Sequence, residues 1–273
     1  MKKIYIIPFL MLAYSSCQDE LNQVPISQAS TSNFFRNASD FQAAVNGIYN
    51  ALGANPQTGN GYAVRRFELS EIRSDNVYSA GTGVRDWNPI NNFEKTLAAN
   101  VYMTEAWSTN YIGIMRANTV LDKLNSTVVP DDPTRLRFEG EAKFLRAFFY
   151  FDLVRIFGKV PIISHLLTPT ESLTVKRSAV SDVYDLIITD LNTAITNLPT
   201  SFTGADKGRA TSLAAKALLG LVYLTRTGPT YGIDGPGMAT NDYTLAVTNF
   251  NDVIASGKFS FVASYPSIFS YTN

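Results

Sequence analysis

EGEAKFLRAFFYFDLVRIFGKVP, residues 139–161, decides the fold. Phe144, Leu145, Phe148, Phe149, Phe151, Leu153, Val154, Ile156 and Phe157 leave no continuous polar face on a helix. A helix that is apolar on nearly every side is covered by neighbours. The stretch therefore predicts a central helix over 139–157, stopped by Gly158, with Pro161 just beyond. Glu139 and Glu141 stand two apart and point in different directions. They read as a solvated first turn rather than an acid/base pair.

The flanking segments supply the neighbours. Phe41, Ala44, Val45, Ile48 and Leu52 recur at the 3–4 spacing of a helix over 41–52. Trp107, Tyr111, Ile114, Ala117, Leu121 and Leu124 do so over 104–124. Val180, Tyr184, Ile187, Leu191, Ile195 and Leu198 form another stripe, with Ser178 as the expected cap and Pro199 as its close. The alanine-rich segment Arg209 to Thr225 and the segment Tyr243 to Ser256, ended by Gly257, complete the set. Good strands are few, so the fold class is mainly α.

A weak repeat runs through these helices. The tetratricopeptide pattern pairs a Leu-Gly…Tyr helix with an Ala…Phe helix. Leu219, Gly220 and Tyr223 match the first part, and Ala246 and Phe250 the second. An earlier pair joins Ala147 and Tyr150 to Ile187, Leu191 and Ala194. A third joins residues 40–52 to 104–124 across the insertion 53–103. On the repeat alone, stacked helix pairs and an unrelated helical bundle both remain open. In stacked pairs the insertions gather on one face, where a ligand is naturally met.

Composition narrows the chemistry. The chain has 273 residues, 45% hydrophobic and 17% charged, with 23 basic and 23 acidic side chains. Nucleic-acid binding needs a basic surplus, so nucleic acid is not an expected partner. One cysteine, Cys17, and one histidine, His165, cannot assemble a zinc site of the usual kinds or an internal disulfide. His165 follows an apolar run and reads as a loop or packing residue, not as part of a triad. Phosphate-loop, nucleophile-elbow and metalloprotease motifs are absent. No catalytic residue, metal or cofactor is expected.

Residues 69–93 have a different texture. Tyr78, Trp87 and Phe93 offer flat apolar faces. Asp75, Asn76, Arg85, Asn88, Asn91 and Asn92 offer planar hydrogen-bonding groups. A sugar ring needs both: a platform for its C–H face and paired donors and acceptors for its hydroxyls. Asn, Asp, Gly and Pro also dominate ordinary loops through turn chemistry, and Trp87 can equally plug the loop into the core.

At the N-terminus, Met1-Lys2-Lys3 precedes an apolar stretch over residues 4–13 and the small pair Ser15-Ser16 before Cys17. That stretch is too short for a bilayer core of ~30 Å but suits an export signal. The arrangement resembles a bacterial lipobox, with Tyr14 where a small aliphatic residue is usual; an ordinary secretory signal is the other reading. Removing residues 1–16 deletes Lys2 and Lys3 and leaves 21 basic against 23 acidic groups, a net charge of −2. Gln18-Asp19-Glu20 resembles the acidic signal that sends some lipoproteins to the cell exterior.

Together the segments resemble the SusD/RagB family of outer-membrane nutrient-binding lipoproteins. The resemblance rests on Cys17, Asp19, Leu21 and Pro25; on Phe41, Ala44 and Asn46-Gly47-Ile48-Tyr49; on Glu141 to Ala147 with Phe157-Gly158 and Val160-Pro161; and on Gly208 to Thr211 with Ala214 to Leu219. Trp107, Tyr111, Ile114 and Arg116-Ala117-Asn118 add to it.

The resemblance implies tetratricopeptide-like helix pairs, a SusD-like α-solenoid, with long loop insertions. It also implies a non-enzymatic protein that captures an oligosaccharide, or a peptide in some members, beside a SusC-like TonB-dependent transporter. Members are usually longer, so 41–273 is expected to be the N-terminal part of the helical domain, after a signal at 1–16 and a lipid anchor and tether at 17–40. Lipid is expected on Cys17, holding the protein on the outer membrane. Ligand contacts are expected from Trp87, Asn88, Asp75, Asn76, Tyr78 and Arg85. Rival readings are a lipid-anchored glycosidase and a tetratricopeptide adaptor.

Overall fold

The computed structural model describes residues 34–53, 61–78, 80 and 86–270. Seven long helices carry the fold: α1 (Ala38–Asn50), α2 (Tyr62–Glu71), α3 (Val101–Lys123), α4 (Asp132–Phe157), α5 (Val180–Asn197), α6 (Ser212–Thr227) and α7 (Tyr243–Ala255). Single helical turns stand at Asn88–Asn91 and Pro169–Ser172. Among the described residues there is no strand, and no helix is long and apolar enough to cross a membrane.

The helices pair as the repeat predicts. α1 packs on α3, α4 on α5, and α6 on α7, while α3·α4 and α5·α6 contacts join successive pairs. The pairs meet closely where a side chain is missing. A Cβ on Gly220 would lie 2.7 Å from the Phe250 ring, which seats the aromatic residue of the Ala246–Phe250 motif against the Gly of its partner helix. Gly113 plays the same part between α3 and α4, facing Phe149.

α4 is the central helix that its composition demands. Leu145, Ala147, Phe149, Tyr150, Leu153 and Val154 are fully buried. The helix starts seven residues earlier than the apolar pattern suggests, because Asp131 caps it by accepting from Thr134 N (3.0 Å) and Pro133 fits its first turn. It ends at Gly158, whose φ of +66° and contact with the Asp234 carbonyl both exclude a side chain.

Three sequence expectations need correction. Glu141 is not in a solvated first turn but fully buried within α4, paired with Arg137 (3.0 Å) and Arg209 (2.8 Å). Ser178 does not cap α5; its backbone N–H donates to Val160 O (2.9 Å), and Ala179 occupies the cap position with no side-chain bond. The insertion 53–103 is not all loop, since it contains α2, whose Tyr62, Arg65 and Leu69 are buried.

Polar groups fix α4 to its surroundings at three levels. Glu141 ties it to the loop before α6 through Arg209, and Arg137 reaches Gln42 of α1 (2.7 Å). Arg146 makes a two-pronged pair with Asp190 of α5 (2.7 and 2.8 Å) and also donates to Asn118 of α3 (2.8 Å). Asp152 accepts from Tyr62 of α2 and pairs with Arg155 and Arg66. Buried charges of this kind are costly when one partner is removed. His165 lies exposed in the segment after α4, as a loop residue.

Candidate functional site

Residues 74–78 and 86–100 form a ledge on α2 and the start of α3. Its base is a small apolar cluster of Leu69, Ile90 and Ala106, flanked by Ile72, Leu97 and Tyr102. Two asparagines shape it. The Asn91 side-chain amide donates to Ile72 O (2.7 Å) and Val77 O (3.2 Å), which binds the segment after α2 to the turn Asn88–Asn91. Asn100 donates to Asp86 O (2.5 Å) and accepts from Tyr102 N (2.9 Å), so it closes the loop and caps α3 at once.

On this frame Asp75, Asn76 and Tyr78 stand out in solvent, with Tyr78 80% exposed. Trp87 is half-buried, its ring tilted 31° to Tyr102 at 6.3 Å. Asn88 is half-buried as the first residue of the short turn. The ledge thus brings 75–78 and 87–88 onto one scaffold through Asn91. Arg85 lies outside the described residues, as does Cys17. Asn91, grouped with the polar residues of this loop in the sequence, is a brace of the ledge.

Phe93 holds a φ of +53° while its ring is 66% exposed. A bulky residue in the left-handed region is strained, and such strain gathers at ligand surfaces. Beneath the ledge, Arg65 is buried, pairs with Glu68 and Glu105, and lies 3.9 Å from the centre of the Tyr102 ring. Burial, with the Glu68 charge behind it, pushes the Tyr102 pKa up, while Arg65 pulls it down.

Two grooves flank the scaffold. One, of about 600 Å³, runs between α2 and α4 beside Arg66, Phe67, Arg73 and Asp152. The other, of about 500 Å³, lies between α3 and residues 163–167 and is mostly apolar. The ledge residues Asp75, Asn76, Tyr78, Trp87 and Asn88 line neither groove. The first groove is not evident in the sequence, because α2 lies within the insertion 53–103. A Tyr62, Arg65, Leu69 spacing was the available signal. Among the described residues no group of three or more His, Cys, Asp or Glu could hold a metal ion.

Comparison with known proteins places this architecture. A SusD-like protein of Bacteroides ovatus is 27% identical over 99% of this chain and 47% of its own length. One from Formosa agariphila is 33% identical over 83% of this chain and 44% of its own length. The chain spans about half the length of the curated relatives it matches. Among solved structures, a laminarin-binding SusD-like protein aligns at 28% identity and a TM-score of 0.64, over 85% of this chain and 47% of that one. Surface glycan-binding protein A from Bacteroides fluxus shares the fold, with a TM-score of 0.70 at 21% identity over 86% of this chain and 48% of that one. The family model described as "Starch-binding associating with outer membrane" matches residues 21–224, most of the described helices included, and the chain therefore belongs to the SusD-like family.

Proposed function

We propose that this chain captures oligosaccharides at the outer membrane as a lipid-anchored, non-catalytic binding protein. It delivers them to a partner TonB-dependent transporter of the SusC type. The observation that carries the reading is the family match over residues 21–224, joined to a braced ledge that holds aromatic and amide side chains at the surface. The laminarin-binding relative adds support for a glycan ligand.

In this reading residues 1–16 are an export signal, Cys17 carries the lipid, and the residues that follow it tether the helical domain, which opens with α1 at Ala38. Two or more acyl chains give lasting attachment, since each buried methylene adds ~0.8 kcal/mol. Asp19 and Glu20 direct the protein to the exterior. On the ledge, the rings of Tyr78 and Trp87 stack on sugar C–H faces, and Asp75, Asn76, Arg85 and Asn88 bind hydroxyls.

Calorimetric titration with panels of neutral oligosaccharides and of peptides tests the capture role. Heat with saccharides, weakened at least fivefold by Trp87→Ala at nearly unchanged melting temperature, is expected. Heat with peptides alone overturns the sugar assignment, and new reducing ends appearing in the mixture overturn the non-catalytic one. Cys17→Ala is expected to move the protein from the membrane to the soluble fraction; retention on membranes refutes the anchor.

A further inference from the structure

The groove between α2 and α4 is unlike the ledge in its charge. Its wall carries three guanidinium groups, Arg66, Arg73 and Arg155, against one carboxylate, Asp152. Asp152 is buried and already served by Tyr62, Arg66 and Arg155. Arg73 forms no ion pair among the described residues. Its Nε donates to Leu69 O (2.7 Å), which leaves the outer nitrogens of the fork available. Burial pushes its pKa below the usual guanidinium value, and no carboxylate acts against that. Arg73 is exposed at the groove, and an accessible guanidinium without a counter-ion is stabilised by an incoming anion.

The same groove offers apolar faces. Phe67 is 63% exposed at its rim. Phe148 is half-buried, stacked on Phe144 at 6.4 Å, with the Arg66 guanidinium 5.1 Å from its ring centre. A volume of about 600 Å³ is in the range of pockets that hold ligands of a few rings. Planar cations that match a carboxylate two-to-two, set beside aromatic faces, are what a sugar acid requires.

We propose that the α2–α4 groove is a second saccharide subsite, separate from the ledge, that selects glycans bearing carboxylates: Arg73 and Arg66 take the uronate carboxylate and Phe67 takes the ring face. This deepens the capture role proposed above and rests on it. The ledge binds neutral sugar units, and the groove adds the preference for acidic ones.

The test is calorimetry of the intact chain with an oligouronate and with its carboxyl-reduced neutral counterpart, at low salt. The oligouronate is expected to bind at least tenfold more tightly. Arg73→Gln, which touches no ion pair, is expected to remove that preference and leave the neutral affinity as it was. Arg66→Gln is expected to do the same more weakly, because the Arg66 charge is already shared with Asp152. Equal binding of the two saccharides, or a preference that survives Arg73→Gln, overturns the groove assignment while the capture role stands. Heat with neither saccharide overturns both.

Discussion

Replacing Gly113 by alanine tests whether α3 and α4 meet as closely as the helix pairing requires. The new Cβ would lie 2.3 Å from the Phe149 ring. Ordinary carbon contacts need about 3.5–4.0 Å, so more than 1 Å must be found. Phe149 cannot supply it, since it is fully buried and packed edge-on to Tyr62 at 5.5 Å. The helices must part or the ring must leave its rotamer. Overpacking of this kind costs about 1–3 kcal/mol or more, and the better helix propensity of alanine returns up to about 1 kcal/mol. The net expectation is a loss of about 1–2 kcal/mol and a melting temperature lower by about 2–4 °C. Gly47, within α1, is the control. A Cβ there meets nothing within 4 Å, so Gly47→Ala is expected to raise stability by about 0.5–1 kcal/mol. Thermal unfolding followed by far-UV circular dichroism reads both. A Gly113→Ala chain as stable as the parent would refute the close approach of α3 and α4, and a destabilised Gly47→Ala chain would refute the open space beside α1.

Other outcomes follow from the buried polar groups. Glu141→Ala takes the shared buried partner from half-buried Arg137 and Arg209, which keep Gln42 and Asp206, and is expected to cost about 1–3 kcal/mol in urea unfolding, whereas a loss under 1 kcal/mol would mean that the carboxylate is solvated. Burial pushes Tyr150 up to about 12, against the downward pull of its bond to Ile163. Its contribution to stability is therefore complete below the ordinary tyrosine value near 10 and is lost as pH rises toward 12. Absorbance titration at 295 nm is expected to show Tyr49, Tyr62, Tyr111, Tyr150 and Tyr184 silent at pH 10.5, since burial raises all five, and a full tyrosine signal at that pH in the folded chain would contradict it.

The helix pairs were legible because burial writes itself into spacing. Phe41, Val45 and Ile48 on α1, or Val183, Ile187, Leu191 and Ala194 on α5, repeat at three and four and are all fully buried. Gly158 was legible for a stereochemical reason, as its positive φ confirms. α2 was hidden because its inward face includes Arg65, a charge made tolerable by Glu68 one turn on and by distant Glu105. Glu141 was misread for the same reason: Arg209 lies 68 residues away, and no local pattern announces it. The ledge was legible as composition, but the division of labour within it was not. Whether an asparagine braces or greets a ligand depends on which carbonyls the fold brings near, and Asn91 meets two of them.

The three polar levels along α4 have a mechanical meaning. A rod greasy all round has no preferred rotation and slides easily within its sleeve. Glu141 and Asp152 are eleven residues apart, three full turns and about 16 Å, and so project from one side; Arg146 projects from another. Each is seated in a matching lock on a different neighbour. A slip of one residue would misalign all of them together, so the rod behaves as a key cut in three places, and any lineage that alters one tooth must recut its lock as well.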